Sequence, residues 1–372
     1  MSAGALDGIV VADFSRVLAG PYATMLLGDL GAEVVKIERP NTGDDTRAWG
    51  PPFDPNGTAT YFNAVNRNKS SLVLNLGDSG DRDRALELVR RADVVVENFR
   101  SGTMERLGLG YEDLRRVNPG LVYCSITGFG DKGGASLPGY DLLVQAVGGL
   151  MSMTGPEPGA PTKTGVALVD VLTGLHALVG ILAALRHRQL TGEGQRVDTN
   201  LLSSLLSSLV NQGSGYLGAG VVPGILGNRH PSIAPYEVFP TSDRPVALAV
   251  GNDRQFADLM TALGRPELVH DPRFATNSAR VAHRDELTNV LDTSLAAHGA
   301  DYWFATLTAV GVPAGPINDV AEAVALAENL GLEPTVRVPG SDTAQITNPI
   351  TFSRTPVRYR CAPPALGNDE PE

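Results

Sequence analysis

The chain has 372 residues, of which 42% are hydrophobic and 19% charged, with a formal net charge of −11 at pH 7. This fits a globular protein of roughly two domains and excludes a disordered or fibrous chain. The acid excess argues against non-specific adhesion to nucleic acid or to an anionic membrane, while a small polyanion held by local arginines and backbone amides stays open.

In chain order, Ile9 to Asp13 reads as a short apolar strand ending in an acid. Gly20-Pro21 opens a helix through Leu30, with proline at a tolerated first-turn position. Glu33 to Glu38 is the next strand, Leu72 to Leu76 another, Arg82 to Ala92 an amphipathic helix and Asp93 to Glu97 a strand. Tyr111 to Val117 reads as helix, Leu121 to Ile126 as extended, and Gln195 to Val197 as a short strand. Strands separated by helices predict a mainly parallel sheet covered on both faces, with ligands beyond the carboxyl ends of its strands. The loop after the first strand, Phe14 to Pro21, lacks the Gly-x-Gly-x-x-Gly of a dinucleotide site, and no P-loop is present. Residues 201 to 217 read as an apolar, serine-rich helix, and the glycines at 213, 215, 218 and 220 as a flexible connection. Beyond Pro235, short strands (Tyr236 to Phe239, Val246 to Val250) and helices (Arg254 to Leu263, Arg284 to Ala297, Tyr302 to Val310, Asp319 to Leu330) predict a smaller α+β domain. The extended tail from Thr335 to Arg360 is expected to return to the first domain. The expected division is 1–217, a linker or active-site loop at 218–235, a small domain at 236–330, and 331–372.

The segment from Gly165 to Asp198 sets one carboxylate, Asp170, in apolar surroundings. The predicted helix begins near Asp170 or Thr173, runs to about Leu190, and is stopped by Gly192 and Gly194. An unpaired carboxylate among apolar neighbours is costly unless it is stabilised or used. A helix N-terminus would keep it ionised, as a nucleophile must be; the plainer alternative is a simple N-cap. The longest apolar run, Leu172 to Leu185, is interrupted by His176, falls short of the roughly 18–20 residues of a membrane span, and reads as a buried helix. No export signal is visible at the N-terminus. Cys124 and Cys361 lie far apart and the six histidines do not cluster, so no metal site is expected and a reducing cytoplasm is.

Several segments together resemble the family III CoA-transferases, which include formyl-CoA and carnitine CoA-transferases. They are Asp13 to Pro21, Gly31 to Pro40, Gly43-Asp44 with Arg47, Asn66, Asn68 and Lys69, Asp93 to Arg100, Gly139-Tyr140-Asp141 and the Asp170 segment. They cover nearly the whole chain in the family's order. The resemblance implies an open, Rossmann-like α/β fold with a smaller inserted domain, and a homodimer of interlocked chains. It also implies an acyl-CoA and a carboxylate acceptor as substrates, with CoA as the group carried and no metal.

By resemblance Asp170 is the aspartate that attacks the thioester, giving first a mixed anhydride and then an aspartyl-CoA thioester. Leu18 and Ala19 match backbone contacts to CoA, Arg39 a nucleotide-contacting arginine, and Leu74 and Asn75 the adenine-side strand. Asn98, Phe99, Arg100 and Arg106 follow a later strand, where arginine suits phosphate. Tyr140 and Asp141 match the segment flanking the thiol end. Two departures stand out. Where formyl-CoA transferases carry a run of glycines over the site, this chain has Gly224 to Pro235, so formyl/oxalate specificity is not implied. Arg229 or His230 in that loop is a candidate reader of the acceptor carboxylate, or the loop is a structural connection. Relatives continue into a final helix after Gly367, whereas this sequence ends at Glu372, so a terminal contribution to packing is expected to be missing. The rival readings are a 2-methylacyl-CoA racemase, whose histidine would fall at Tyr140, and a non-catalytic CoA-binding protein.

Overall fold

The computed structural model describes residues 4–368. They divide into two compact units. The first comprises residues up to Leu150, Lys163–Val222 and the chain from Glu333 onward; the second comprises Met151–Thr162 and Pro223–Leu332.

The first unit begins β1 (Val10–Asp13), α1 (Ala19–Asp29), β2 (Glu33–Glu38), α2 (Thr60–Asn63), β3 (Lys69–Val73), α3 (Ser79–Arg91) and β4 (Val94–Glu97). It continues α4 (Thr103–Arg106), α5 (Tyr111–Val117), β5 (Val122–Thr127), α6 (Asp141–Val147), α7 (Leu168–Thr191), β6 (Arg196–Asn200), α8 (Leu201–Ser208) and α9 (Val210–Ala219). The six strands form one parallel sheet in the order β3-β2-β1-β4-β5-β6. Alternation along each strand serves two cores. Val11, Val34, Val94 and Val96 face α1 and α7, while Ala12, Val35 and Val95 face α3 and α5. Both faces are covered, which is why β4 is apolar at three successive positions. The strand order reverses between β1 and β4, leaving a crevice at their carboxyl ends.

The helix α7 buries Val169, Thr173, Ala177, Ile181 and Leu185, a stripe at helical spacing that packs on α1. It begins two residues ahead of Asp170 and ends at Gly192, whose φ of 80° is open to glycine without strain. Contrary to the reading from the run broken at His176, it is long and apolar enough to cross a membrane by length and composition, although a little under half of its most apolar window is buried in the fold. Its other face, with Leu175 and Val179, is exposed.

Other elements differ from the sequence pattern. The third strand begins at Lys69 rather than Leu72, because its first residues carry buried polar side chains that a search for apolar runs passes over. The expected helix 201–217 is two, α8 and α9, broken where Val210 takes a φ of 42°. The glycines at 213, 215 and 218 lie inside α9, not in a flexible connection, and Gly220 closes it in the left-handed conformation.

The second unit holds β7 (Tyr236–Phe239), β8 (Val246–Ala249), α10 (Asp253–Ala262), α11 (Asn277–Ala282), α12 (Arg284–Leu295), α13 (Ala300–Ala309), β9 (Ala314–Pro316) and α14 (Val320–Asn329). Its antiparallel sheet β7-β8-β9 covers a core that includes Phe239, Phe256, Leu291 and Trp303. The segment Met151–Thr162, assigned to the first domain by sequence, folds with this unit. Gly227 brings it close: a Cβ there would lie 2.9 Å from the Pro156 carbonyl. After Glu333 the chain adds the hairpin β10 (Thr335–Arg337) and β11 (Ala344–Ile346) to the first unit.

The α1–α7 contact is set by Gly174, where an added Cβ would lie 2.6 Å from the Ala19 carbonyl oxygen. In an open helix Gly→Ala stabilises by about 1 kcal/mol. Here Gly174→Ala is expected to destabilise by about 1–3 kcal/mol as the helices are forced apart. The midpoint of urea unfolding gives the sign, and an upward shift would contradict the packing.

Candidate active site

The crevice between β1 and β4 opens into a cavity of about 210 Å³, whose wall includes Leu18, Ala19, Asn98, Phe99, Tyr140 and Asp170. That is smaller than the ~300–1,000 Å³ that encloses a whole drug-sized ligand, so it suits the reacting end of a larger one. Three loops build it. The loop after β1 is held by Asn98, whose side-chain amide accepts from the Arg16 N–H at 2.8 Å and donates to the Arg16 carbonyl at 2.7 Å. The loop after β4 carries Phe99, with the Arg16 guanidinium 5.0 Å from its ring centroid, and Arg100, which has no carboxylate partner among the described residues. The loop after β5 closes where Gly128 and Gly139 meet. A Cβ on Gly128 would lie 2.4 Å from the Gly139 Cα, so the backbones can touch only as glycines.

Asp170 is the third residue of α7 and is half-buried on the cavity wall. Its carboxylate accepts no hydrogen bond from the described residues. Burial, and then the negative charge of Asp141, push its pKa up to about 7. The expectation that the helix N-terminus holds Asp170 ionised is corrected here, and so is the simple N-cap alternative. Ala167 stands at the N-cap with no capping side chain. The free donors go instead to Asp141, whose Oδ1 accepts from the N–H of Val169 at 2.8 Å and of Asp170 at 3.3 Å. Gln145, fully buried, donates to the other Asp141 oxygen at 2.6 Å and accepts from the Thr164 N–H at 3.0 Å. Asp141 thus stands behind Asp170 and does not line the cavity.

Of the other residues singled out from the sequence, Leu18, Ala19, Asn98, Phe99, Arg100 and Tyr140 are gathered on the cavity wall. Arg39, Leu74, Asn75 and Arg106 are not. Arg39 donates to the Gly43 carbonyl and pairs with Asp45. Leu74 is buried in the core, Asn75 accepts from the Gly77 N–H, and Arg106 donates to the Thr103 hydroxyl. In the second unit Arg229 is engaged by Glu237 at 3.1 Å and Asp285 at 2.9 Å, and His230 Nδ1 accepts from the Ser232 N–H. Neither supplies a free cation.

Tyr61 in α2 was not legible in the sequence. Its hydroxyl is pushed up to about 12 by burial and by the charges of Asp170, Asp141 and Asp44, which places it in the field of the candidate nucleophile. It packs edge-on to Trp49 at 5.4 Å. The short helix carrying it has no periodicity to announce it. The backbone N–H groups of Leu18, Ala19 and Gly20, at the start of α1, also have no partner among the described residues, and Leu18 and Ala19 line the cavity.

Residues 6–370 match the model for CoA-transferase family III. The chain is 44% identical to a succinate–glutarate CoA-transferase of Agrobacterium fabrum, over 98% of this chain and 94% of that one. It is also 44% identical to an acetyl-CoA:oxalate CoA-transferase of Acetobacter aceti, over 87% and 83%. A crystal structure of a CAIB/BAIF family protein from Brucella suis superposes with a TM-score of 0.89 at 44% identity, covering 99% of this chain and 97% of that chain. The chain therefore belongs to the family III CoA-transferases. It is an enzyme that moves CoA between an acyl-CoA and a carboxylic acid.

The pH dependence follows from Asp170. Were Asp170 the nucleophile, it would have to be ionised to act; kcat/KM at subsaturating acyl-CoA is then expected to rise with pH through about 7 and to fall about tenfold per unit below it. Asp141→Asn removes the neighbouring charge while keeping an acceptor for the α7 amides. Ionisation of Asp170 then becomes easier, and the acidic limb of the profile moves to lower pH. An unmoved limb would show that Asp141 does not tune Asp170.

Proposed function

We propose that this enzyme moves CoA from a dicarboxylyl-CoA such as succinyl-CoA to a second short dicarboxylate such as glutarate, with Asp170 as covalent carrier. The observation that carries the reading is a carboxylate with no hydrogen-bond partner among the described residues, on the wall of the crevice cavity, in a family III chain. The substrate class is drawn from the names of the relatives, which pair succinate with glutarate and acetyl-CoA with oxalate. Short dicarboxylates are common to both.

The chemistry needs only side chains and CoA itself. A carboxylate oxygen of Asp170 attacks the thioester carbonyl, the C–S bond breaks, and CoA thiolate leaves a mixed anhydride. The thiolate attacks the Asp170 acyl carbon, releasing the donor acid and leaving an aspartyl-CoA thioester. The acceptor carboxylate attacks that thioester, giving a second anhydride and free thiolate. Attack of the thiolate on the acceptor acyl carbon yields the new acyl-CoA and restores Asp170. A serine ester would lie well below a thioester in free energy and trap the acyl group, whereas an anhydride keeps it activated. The unpartnered N–H groups at the start of α1 supply oxyanion donors for these steps. Asn98, Phe99 and the unpaired Arg100 form the wall along which the CoA arm and its phosphates run. Tyr140 stands where a racemase requires a histidine. A phenol is a poorer proton acceptor than an imidazole, which disfavours racemisation.

Asp170→Ala should lower turnover by on the order of 10³-fold or more, since the other carboxylate on the wall, Asp45, is paired with Arg39 and Arg16. With the unaltered chain, succinyl-CoA and hydroxylamine, mass spectrometry should find a hydroxamate at Asp170. Turnover undiminished in Asp170→Ala would sink the carrier reading.

A homodimer belongs to the same proposal. Val147, Val179, Val210 and Leu217 are 68%, 64%, 73% and 84% exposed on α6, α7 and α9, apolar surface that a second copy of the chain would cover. Sedimentation equilibrium should return twice the 39.1 kDa chain mass, and a monomer at micromolar concentration would refute it.

A further inference from the structure

The loop after β1 contains a backbone conformation that its own residue does not favour. Val17 has a φ of 71°, in the left-handed region where a β-branched side chain is strained. Glycine would adopt this conformation freely. What holds Val17 there is a buried carboxylate. The Val17 N–H donates to both oxygens of Asp44, at 3.3 and 3.2 Å. Asp44 is itself fixed, 2.9 Å from Lys36 Nζ with both side chains fully buried, and accepting from the Thr46 N–H and hydroxyl at 3.0 and 2.8 Å. The same Lys36 ammonium donates to the Ser15 carbonyl at 2.9 Å. Three successive residues are therefore gripped from outside the loop: Ser15 by Lys36, Arg16 by Asn98 and Val17 by Asp44. The two that follow, Leu18 and Ala19, line the cavity with unpartnered N–H groups.

We infer that Asp44 is a positioning residue for CoA transfer, pinning Val17 in the left-handed conformation so that the N–H groups opening α1 stay on the wall they share with Asp170. This rests on the reading of Asp170 as covalent carrier. If Val17 relaxed to negative φ, the peptide joining it to Leu18 would rotate and carry the Leu18 N–H with it. A donor preset toward developing charge speeds the step; a donor that must be reset does not. Valine suits the position because a stiff side chain, once clamped, leaves the loop one conformation.

The test uses the full-length enzyme with succinyl-CoA as donor. Asp44→Asn keeps the shape of the side chain and removes the charge that Lys36 holds. In a single turnover, release of CoA thiol and hydroxylamine trapping at Asp170 measure acylation; calorimetry measures acyl-CoA affinity; circular dichroism measures the folded fraction. The acylation rate is expected to fall about 100-fold while affinity stays within about threefold. Adding Val17→Gly to Asp44→Asn should restore at least about tenfold, because glycine takes the required φ without the pin. A purely structural role predicts that activity tracks the folded fraction and that the glycine restores nothing. Acylation within about threefold of the unaltered enzyme, or a loss that Val17→Gly leaves in place, overturns the proposal. Should Asp44→Asn fail to fold, Lys36→Met/Asp44→Asn removes both buried charges together and is judged by the same outcomes. Absence of acylation in the unaltered enzyme refutes the carrier reading itself and removes this proposal with it, an outcome distinct from failure of the variant alone.

Discussion

A charge-balanced lattice buried beneath the β1 loop is the constraint on which the site depends. Asp13 pairs with Lys69 at 3.1 Å, Asp44 with Lys36 at 2.9 Å, and Glu38 with Arg47 at 2.7 Å. Against the cost of burial, the neighbouring lysines hold Asp13 and Asp44 below the usual carboxylate range, and Arg47 with Lys36 does the same for Glu38. Such pairs are weak evidence for stability, since well-packed apolar residues of like volume often do as well or better. Their geometry is a better guide to their use. Lys36 reaches the Ser15 carbonyl, Lys69 reaches the Pro21 carbonyl at 2.9 Å, and the Asp13 carboxylate accepts from the Ser15 N–H at 3.0 Å. Lys36, Lys69 and Asp13 each fix backbone on one side of the crevice.

A second buried group ties the returning C-terminal segment to that frame. Asp29 accepts two bonds from Arg67 at 2.9 and 2.7 Å, one from Asn68 at 2.8 Å and one from Asn348 at 3.1 Å. The run Asn66 to Lys69 thus sends consecutive side chains to different parts of the first unit. Asn66 and Lys69 serve the floor of the β1 loop, while Arg67 and Asn68 serve Asp29 and the 345–361 segment. Removing one partner from such a group costs about 3–5 kcal/mol, because a buried charge is left uncompensated. That penalty explains why polar residues begin β3, where an apolar strand is the ordinary expectation.

Legibility in the sequence followed the kind of force involved. Elements set by apolar periodicity or by a capping residue stood out. β2, α5 and β7 have the bounds their patterns predict: β2 is a short run buried between two cores, and β7 buries alternate residues, Glu237 and Phe239. Asp170 was visible as a carboxylate out of place in an apolar segment. The helix α6 was not, because Asp141 and Gln145 look like ordinary surface residues until they meet the start of α7. Nor was Tyr61, which acquires its surroundings only when the chain between β2 and β3 brings it into the field of Asp170, Asp141 and Asp44. Long-range hydrogen bonds from polar side chains to backbone leave no period in the sequence, and the loops and helix start of the candidate site are held by them.

Motif residues accordingly serve two offices that sequence alone does not separate. Arg39 and Asp141 lie in segments shared with the family, and both are engaged internally, Arg39 by Asp45 and the Gly43 carbonyl, Asp141 by the α7 amides and Gln145. Arg100 lies in another such segment and keeps its charge free beside the cavity. The difference bears on Asp170. A carboxylate stripped of hydrogen bonds and set beside a like charge is more basic, and a more basic carboxylate is the stronger nucleophile once ionised. The helix dipole alone would have made Asp170 easier to ionise and less reactive. By taking the amide donors for itself, Asp141 turns the α7 terminus from a stabiliser of the carboxylate into a support that leaves it exposed to attack chemistry. For Asp170 as the proposed nucleophile, a pKa pushed up to about 7 sets the availability of the charged form against its reactivity near neutral pH.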